Sequence, residues 1–229
     1  MKRILIWDTN YLNKFKFHTY FTEIFTKLAL KETYHNISIS FNIISELDNK
    51  LIVDNYRKNI LEIYQELYNR IDEIDEQSII NIIRSIKSCK YIDFTEFLLK
   101  IDEIVLDYVS NTSIYNDKMV LINYLFKYLH YISFLDSRLL KKMKNFNLYF
   151  DMLKPEINEK QNINHLCSLN LIMHKTNIID KDFISTEFDI LRNKIYIKNP
   201  DESLISSLQL IQEVLGEERH KEIEFNVSE

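Results

Sequence analysis

The sequence predicts an α/β protein, a parallel sheet with helices on its faces interrupted by a mainly helical insertion. Three observations predict it. Strand-like segments alternate with helical periodicity at both ends of the chain, the pattern of helices laid over a parallel sheet. The middle, from about 55 to 154, has almost no turn chemistry and repeats its apolar residues at three- and four-residue steps. Of the 229 residues, 46% are hydrophobic and 28% charged, enough to bury a full core.

The elements follow in order. Lys2 to Trp7 is mostly β-branched or large and apolar and reads as a buried strand, ended by the turn-prone Asp8-Thr9-Asn10. A helix is expected over about 11–33. Ile37 to Ser40 alternates apolar and polar residues and reads as a second strand, leading into a helix that carries Glu46, with Ile43, Ile44, Leu47 and Leu51 at helical spacing. Breaks near Asp75–Gln77, Tyr91–Asp93 and Asn111–Ile114 divide the middle into about four helices, the last running from about 116 to 148. After a polar stretch from Pro155 to Asn164 comes a helix over about 164–175. Phe183-Ile184-Ser185 and Lys194–Lys198 are further strand candidates. Asn199-Pro200-Asp201 is a turn that can cap a helix, and Ser203–Leu215 is a last amphipathic helix ending at Gly216. The expected domains are an α/β domain from 1–54 and 155–215, a helical insertion over 55–154, and a charged tail over 216–229.

Composition excludes several functions. With Gly216 alone and two prolines, no Walker-type phosphate loop and no G-x-G-x-x-G dinucleotide fingerprint can be drawn. Cys89 and Cys167 stand singly, so neither a four-ligand zinc centre nor a disulfide framework follows, and a reducing cytosol is expected. No serine has a glycine-flanked elbow, which leaves acyl-transfer chemistry unsupported. No apolar run approaches the roughly 20 residues of a membrane span, so a cytoplasmic protein without a membrane partner is expected. The net charge of −5 argues against electrostatic coating of nucleic acid but permits a local grip.

In open α/β sheets ligands bind outside the carboxyl ends of the strands, which singles out Asp8. Capping of the next helix by Asp8 or Asn10 explains the same residue types equally well. Glu46, alone, reads as an acid compensating a helix dipole.

Taken together, Ile4–Leu12 and Ile39–Leu47 resemble the opening of the PIN domain family, a metal-dependent nuclease fold with a three-layer α/β architecture found in many bacterial toxin ribonucleases. Asn162–Leu166, Phe183–Ile190, Ile195–Ile197 and Asn199–Leu204 resemble its closing half. The resemblance covers the two ends of the chain and leaves 55–154 without a counterpart. It implies that Asp8 and Glu46 fall on the family's first two acidic positions and Asn10 on its secondary polar one. Asn162 falls on the third acidic position, a departure that removes a charge, and Glu187 or Asp189 falls on the fourth. A competing match places Asp117 and Asp136 on the last two positions.

What the resemblance implies is a divalent-metal-dependent ribonuclease, toxin-like or defence-related, with Asp8, Glu46 and Asp189 as ligands of Mg2+ or Mn2+ and Glu187 as the alternative fourth acid. Asn10 and Asn162 would orient ligands or substrate. Gathered carboxylates repel one another and are tolerable mainly around a divalent cation, which would polarise a phosphoryl group and activate a water. Arg138, Lys141, Lys142 and Lys144, with Arg192, Lys194 and Lys198, form the candidate grip on RNA, single-stranded or structured, although a solvated helix face is the commoner meaning of such runs. Some of the 14 tyrosines and 14 phenylalanines could stack on bases. His165 reads as a core histidine. The alternative is a catalytically inactive PIN-like module that binds RNA or a protein partner through its insertion. A protein inhibitor and a homodimer are compatible with the resemblance, and a purely helical scaffold is the reading left if the sheet fails.

Overall fold

Every regular element among the described residues is helical. The computed structural model describes residues 17–51, 54–89, 91–110, 118–157, 162–192 and 202–217. Its α-helices are α1 (Phe17–Ala29), α2 (Tyr34–Leu51), α3 (Asp54–Asn69), α4 (Glu76–Ile86), α5 (Thr95–Ser110), α6 (Lys118–Ile132), α7 (Ser137–Leu140), α8 (Phe146–Leu153), α9 (Ile163–Thr176), α10 (Lys181–Arg192) and α11 (Glu202–Leu215). Two 3-10 turns, Ile71–Glu73 and Lys154–Glu156, complete them. No described helix is long and apolar enough to cross a membrane.

The expected parallel sheet is therefore corrected. Ile37–Ser40 lies inside α2 and Phe183–Ser185 inside α10. A strand places residues two apart on one face, yet Ile37 is fully buried while Ile39 is 38% exposed. Among the described residues the buried apolar side chains of α2 are Tyr34, Ile37, Phe41 and Ile44, which is the helical period. In α10 the buried residues Phe183, Ile184, Glu187, Phe188, Ile190 and Leu191 again follow it. Four alternating residues were too short a run to outweigh the wider pattern. The other two strand candidates, Lys2–Trp7 and Lys194–Lys198, lie outside the described residues.

The single helix expected over 116–148 is also divided. α6 ends at Ile132, where Lys175 from α9 donates through Nζ to the Ser133 carbonyl at 3.0 Å and the Leu135 carbonyl at 3.4 Å. These orphan carbonyls at the end of α6 are thereby satisfied by a cation. Asp136 then caps α7, its Oδ1 accepting from the Arg138 backbone N–H at 2.8 Å.

The chain divides between Phe97 and Leu98 into two compact units. In the first, α2 packs on α3 and α4, and α1 packs on α3. Ser38, Ser45, Ser78 and Ser85 are buried on α2 and α4, where their small side chains take little room between the backbones. Ser45 and Ser85 return their hydroxyl protons to carbonyls one turn back at 2.7 and 2.8 Å, and Asn81 donates across to Ser38 at 3.2 Å. Each buried donor named here has an acceptor. Phe41, Tyr64, Phe94 and Phe97 add a cluster of edge-to-face rings. Asp75 caps α4 through a 2.7 Å bond from the Ser78 N–H.

In the second unit α9 is the central helix, with α6, α7, α10 and α11 packed on it. All eight residues from Leu166 to Met173 are buried. A helix buried all round belongs to an interior rather than to a surface stripe. It ends at Asn177, a left-handed residue with φ 60°, and α11 ends before Gly216 at φ 96°.

Candidate functional site

The acidic residues singled out from the sequence are placed as follows. Glu46 sits in the last part of α2, well past its first turn, 3.9 Å from the Arg84 guanidinium of α4 in a loose surface pair. Asn162 is the N-cap of α9, its Oδ1 accepting from the Asn164 N–H at 2.9 Å. Glu187 and Asp189 share α10, but Glu187 is fully buried and Asp189 exposed. Glu187 therefore offers a cation no open approach. Asp136 is spent on capping α7 and on a two-pronged ion pair with Arg138 at 3.1 and 3.2 Å, which hold its carboxyl below the usual range. Glu46 belongs to the first unit, and Asn162, Glu187 and Asp189 to the second. Asp8, Asn10 and Asp117 lie outside the described residues. Among the described residues no group of three or more His, Cys, Asp or Glu is placed to hold a metal ion.

Three polar centres in the second unit join residues whose partners were not read from the sequence. The first is Asp102 on α5. Its Oδ1 accepts from the Tyr128 hydroxyl of α6 at 3.0 Å and the Tyr149 hydroxyl of α8 at 2.8 Å, and its Oδ2 accepts from Asn145 Nδ2 at 2.9 Å. Burial raises the Asp102 carboxyl, against the three donors that lower it, and the same burial raises both tyrosines. The partners stand 26 to 47 residues away along the chain, so no local pattern announces them.

The second centre is Glu187 with Asn170, on α10 and α9. Asn170 Nδ2 donates to Glu187 Oε2, while Glu187 Oε1 and Asn170 Oδ1 have no hydrogen-bond partner. Burial pushes the Glu187 carboxyl up to about 8, and the neighbouring Ser207 hydroxyl of α11, which donates to the Ser203 carbonyl at 2.9 Å, lowers it only in part. The signal that could have found this pair is Asn170 itself, an amide in the middle of an apolar helical run.

The third centre lies where α6 ends. His130 Nδ1 is 2.8 Å from Ser168 Oγ, and that hydroxyl donates to the Asn164 carbonyl at 2.6 Å. With its own proton used, Ser168 accepts from His130, which places a proton on Nδ1. Ser168 is fully buried and so is no nucleophile. Around His130 stand the half-buried rings of Tyr131, Phe134 and His165, with centroids at 5.4, 5.2 and 5.6 Å. His165 also stacks on Phe126, and burial lowers its pKa. Directly after these rings the chain turns through α7 and presents Arg138, Lys141, Lys142 and Lys144, all exposed. Aromatic faces beside a run of cations are what a single-stranded nucleic acid needs: surfaces for bases and charge for phosphates.

No family model, no curated protein and no solved structure matches the chain. The resemblance to the PIN domain family is thus not upheld. Among the described parts of the segments that carried it, Ile39–Leu47 and Phe183–Ile190 lie in α2 and α10, Asn162–Leu166 opens α9 and 202–204 opens α11; none forms a sheet, and no comparison supplies the fold that they failed to make.

Proposed function

We propose that the chain is a binding module for single-stranded RNA in the cytoplasm, gripping it through the corner formed by the end of α6, α7 and the turn that follows. The observation that carries this reading is the adjacency of Tyr131 and Phe134 to Arg138, Lys141, Lys142 and Lys144. Between Lys118 and Phe150 the chain places Lys118, Lys127 and these four cations against a single acid, Asp136, in a protein whose net charge is −5. That local reversal of sign along the chain favours a polyanion here. The lysines contact phosphates and carry no base specificity, and the rings stack on any base.

Anisotropy titration of labelled single-stranded RNA tests it, run at several salt concentrations with wild type, with Lys141→Glu/Lys142→Glu/Lys144→Glu and with Phe134→Ala. The wild type should bind more weakly as salt rises. The triple variant should lose most of its affinity and flatten the log–log salt slope by roughly 2, at about 0.7 for each lost phosphate contact. Phe134→Ala should cost about 1–3 kcal/mol of binding with little change in slope. Equal affinity in wild type and triple variant ends the proposal. The same mixtures with Mg2+ or Mn2+, followed on a gel, read hydrolysis. Cleavage that EDTA abolishes would replace binding alone with the nuclease activity expected from the sequence.

A further inference from the structure

The interior formed by α9, α10 and α11 holds two oxygens with nothing to accept from, Glu187 Oε1 and Asn170 Oδ1. Both belong to side chains that are fully buried, and the two side chains are already joined by the bond from Asn170 Nδ2 to Glu187 Oε2. Two buried acceptors left over on bonded partners destabilise the fold if nothing satisfies them. An ionised carboxylate would add the far larger cost of a buried charge. One proton removes both problems.

We infer that Glu187 is an un-ionised carboxylic acid in the folded protein, its Oε1–H donating to Asn170 Oδ1 while Asn170 Nδ2 donates back, and that loss of this proton loosens the packing of α10 and α11 on α9. An acid and a primary amide pair reciprocally in this way, each giving one proton and taking one. Among the described residues no cation is paired with Glu187. The described titratable groups on the three helices are His165, Cys167, His174 and Lys175 on α9, Lys181, Asp182 and Asp189 on α10, and Glu202 and Glu213 on α11. Of these only Cys167 is buried. Lys175, the cation least exposed among them, is occupied by the Ser133 and Leu135 carbonyls and by Glu202 at 3.2 Å. Burial and the Ser207 hydroxyl are what act on the Glu187 carboxyl, and burial prevails.

The sign of the pH effect follows. The carboxyl binds its proton more tightly folded than unfolded, so its contribution is fully present below the ordinary glutamate value of 4.5 and is lost as pH rises towards about 8. Across that window the unfolded-to-folded ratio should climb roughly tenfold per pH unit relative to a chain without the ionisable group. Glu187→Gln is that chain, because its amide donates to Asn170 Oδ1 and accepts from Asn170 Nδ2 with no proton to lose.

Urea unfolding of the full-length wild type and E187Q between about pH 5 and about pH 9 tests the inference. The two should converge at the acid end, and the wild type should fall progressively below E187Q at the alkaline end. Parallel profiles would overturn it. Should E187Q not fold, infrared spectra of the wild type serve instead. A carbonyl band of an un-ionised carboxyl, present at neutral pH and lost with a midpoint near 8, supports the inference, and an alkaline titration without such a loss overturns it.

Discussion

Asp102→Ala should lower the stability of the second unit by about 3–5 kcal/mol, because it deprives three buried or half-buried donors of their acceptor at about 1–3 kcal/mol each. The Tyr149 hydroxyl retains the Asp102 backbone carbonyl at 3.0 Å. Tyr128 has no such second acceptor among the described residues and bears the greater loss. Asp102→Asn should cost less, about 1–2 kcal/mol. The remaining oxygen can take the tyrosine hydroxyls, and a flip of the Asn145 amide converts a clash of two donors into a bond. The carboxyl is raised in the folded chain, so its contribution is greatest below the ordinary aspartate range and declines as pH rises through the folded value. The pH dependence that it supplies should be missing in D102N. Urea unfolding followed by the helical circular dichroism signal measures both variants. A D102A protein as stable as the wild type would show that the network contributes nothing net.

Phe94→Ala should be of similar size in the first unit, at about 3–5 kcal/mol. Phe94 is 2% exposed and meets Tyr64 edge-on at 5.0 Å and Phe41 at 6.2 Å. It holds the short segment between the α4 turn and α5 against α2 and α3, so its removal opens a cavity whose walls belong to separate elements. Tyr68→Ala makes the useful contrast. Tyr68 is only half-buried, tilts against Tyr64 at 6.3 Å and meets Phe97 at 5.8 Å, and its loss should cost clearly less. Thermal or urea unfolding of the pair gives the comparison, and equal losses would mean that ring burial does not set the stability of the cluster.

The helical middle of the chain was legible because its periodicity runs for many turns. The break at Asp75–Gln77 and the helix end before Gly216 were legible as well, since breaks and caps are local. The sheet was a misreading of short runs. Ile37 to Ser40 alternates by chance within a helix whose other apolar residues, Phe41 and Ile44, continue the helical face, and isoleucine enters a buried helix as readily as a buried strand. The end of α6 escaped notice because the carbonyls just past it are satisfied by Lys175, about 40 residues away, as well as by the local cap at Asp136. Candidate residues fared according to the same rule. Exposed cations such as Lys141 and Lys144 can be read from the sequence, whereas Asp102 and Asn170 draw their meaning from partners that only the fold brings near. Acids chosen by order along the chain, such as Glu187 and Asp189, turned out to differ in the property that decides their chemistry, one being dry and the other wet.

Enclosure of α9 on all sides has a dynamic consequence. From Leu166 to Met173 no side of the helix faces water, so its amide hydrogens cannot exchange through fraying or through the lifting of a single surface strip. They reach solvent only when several neighbouring helices separate at once. These amides should therefore be the slowest-exchanging set of the unit and report its complete unfolding, while amides of α7, a single turn at the surface corner, exchange through small local openings. A corner that opens readily, attached to a centre that almost never does, would let the proposed binding surface rearrange without disturbing the helix on which it is built.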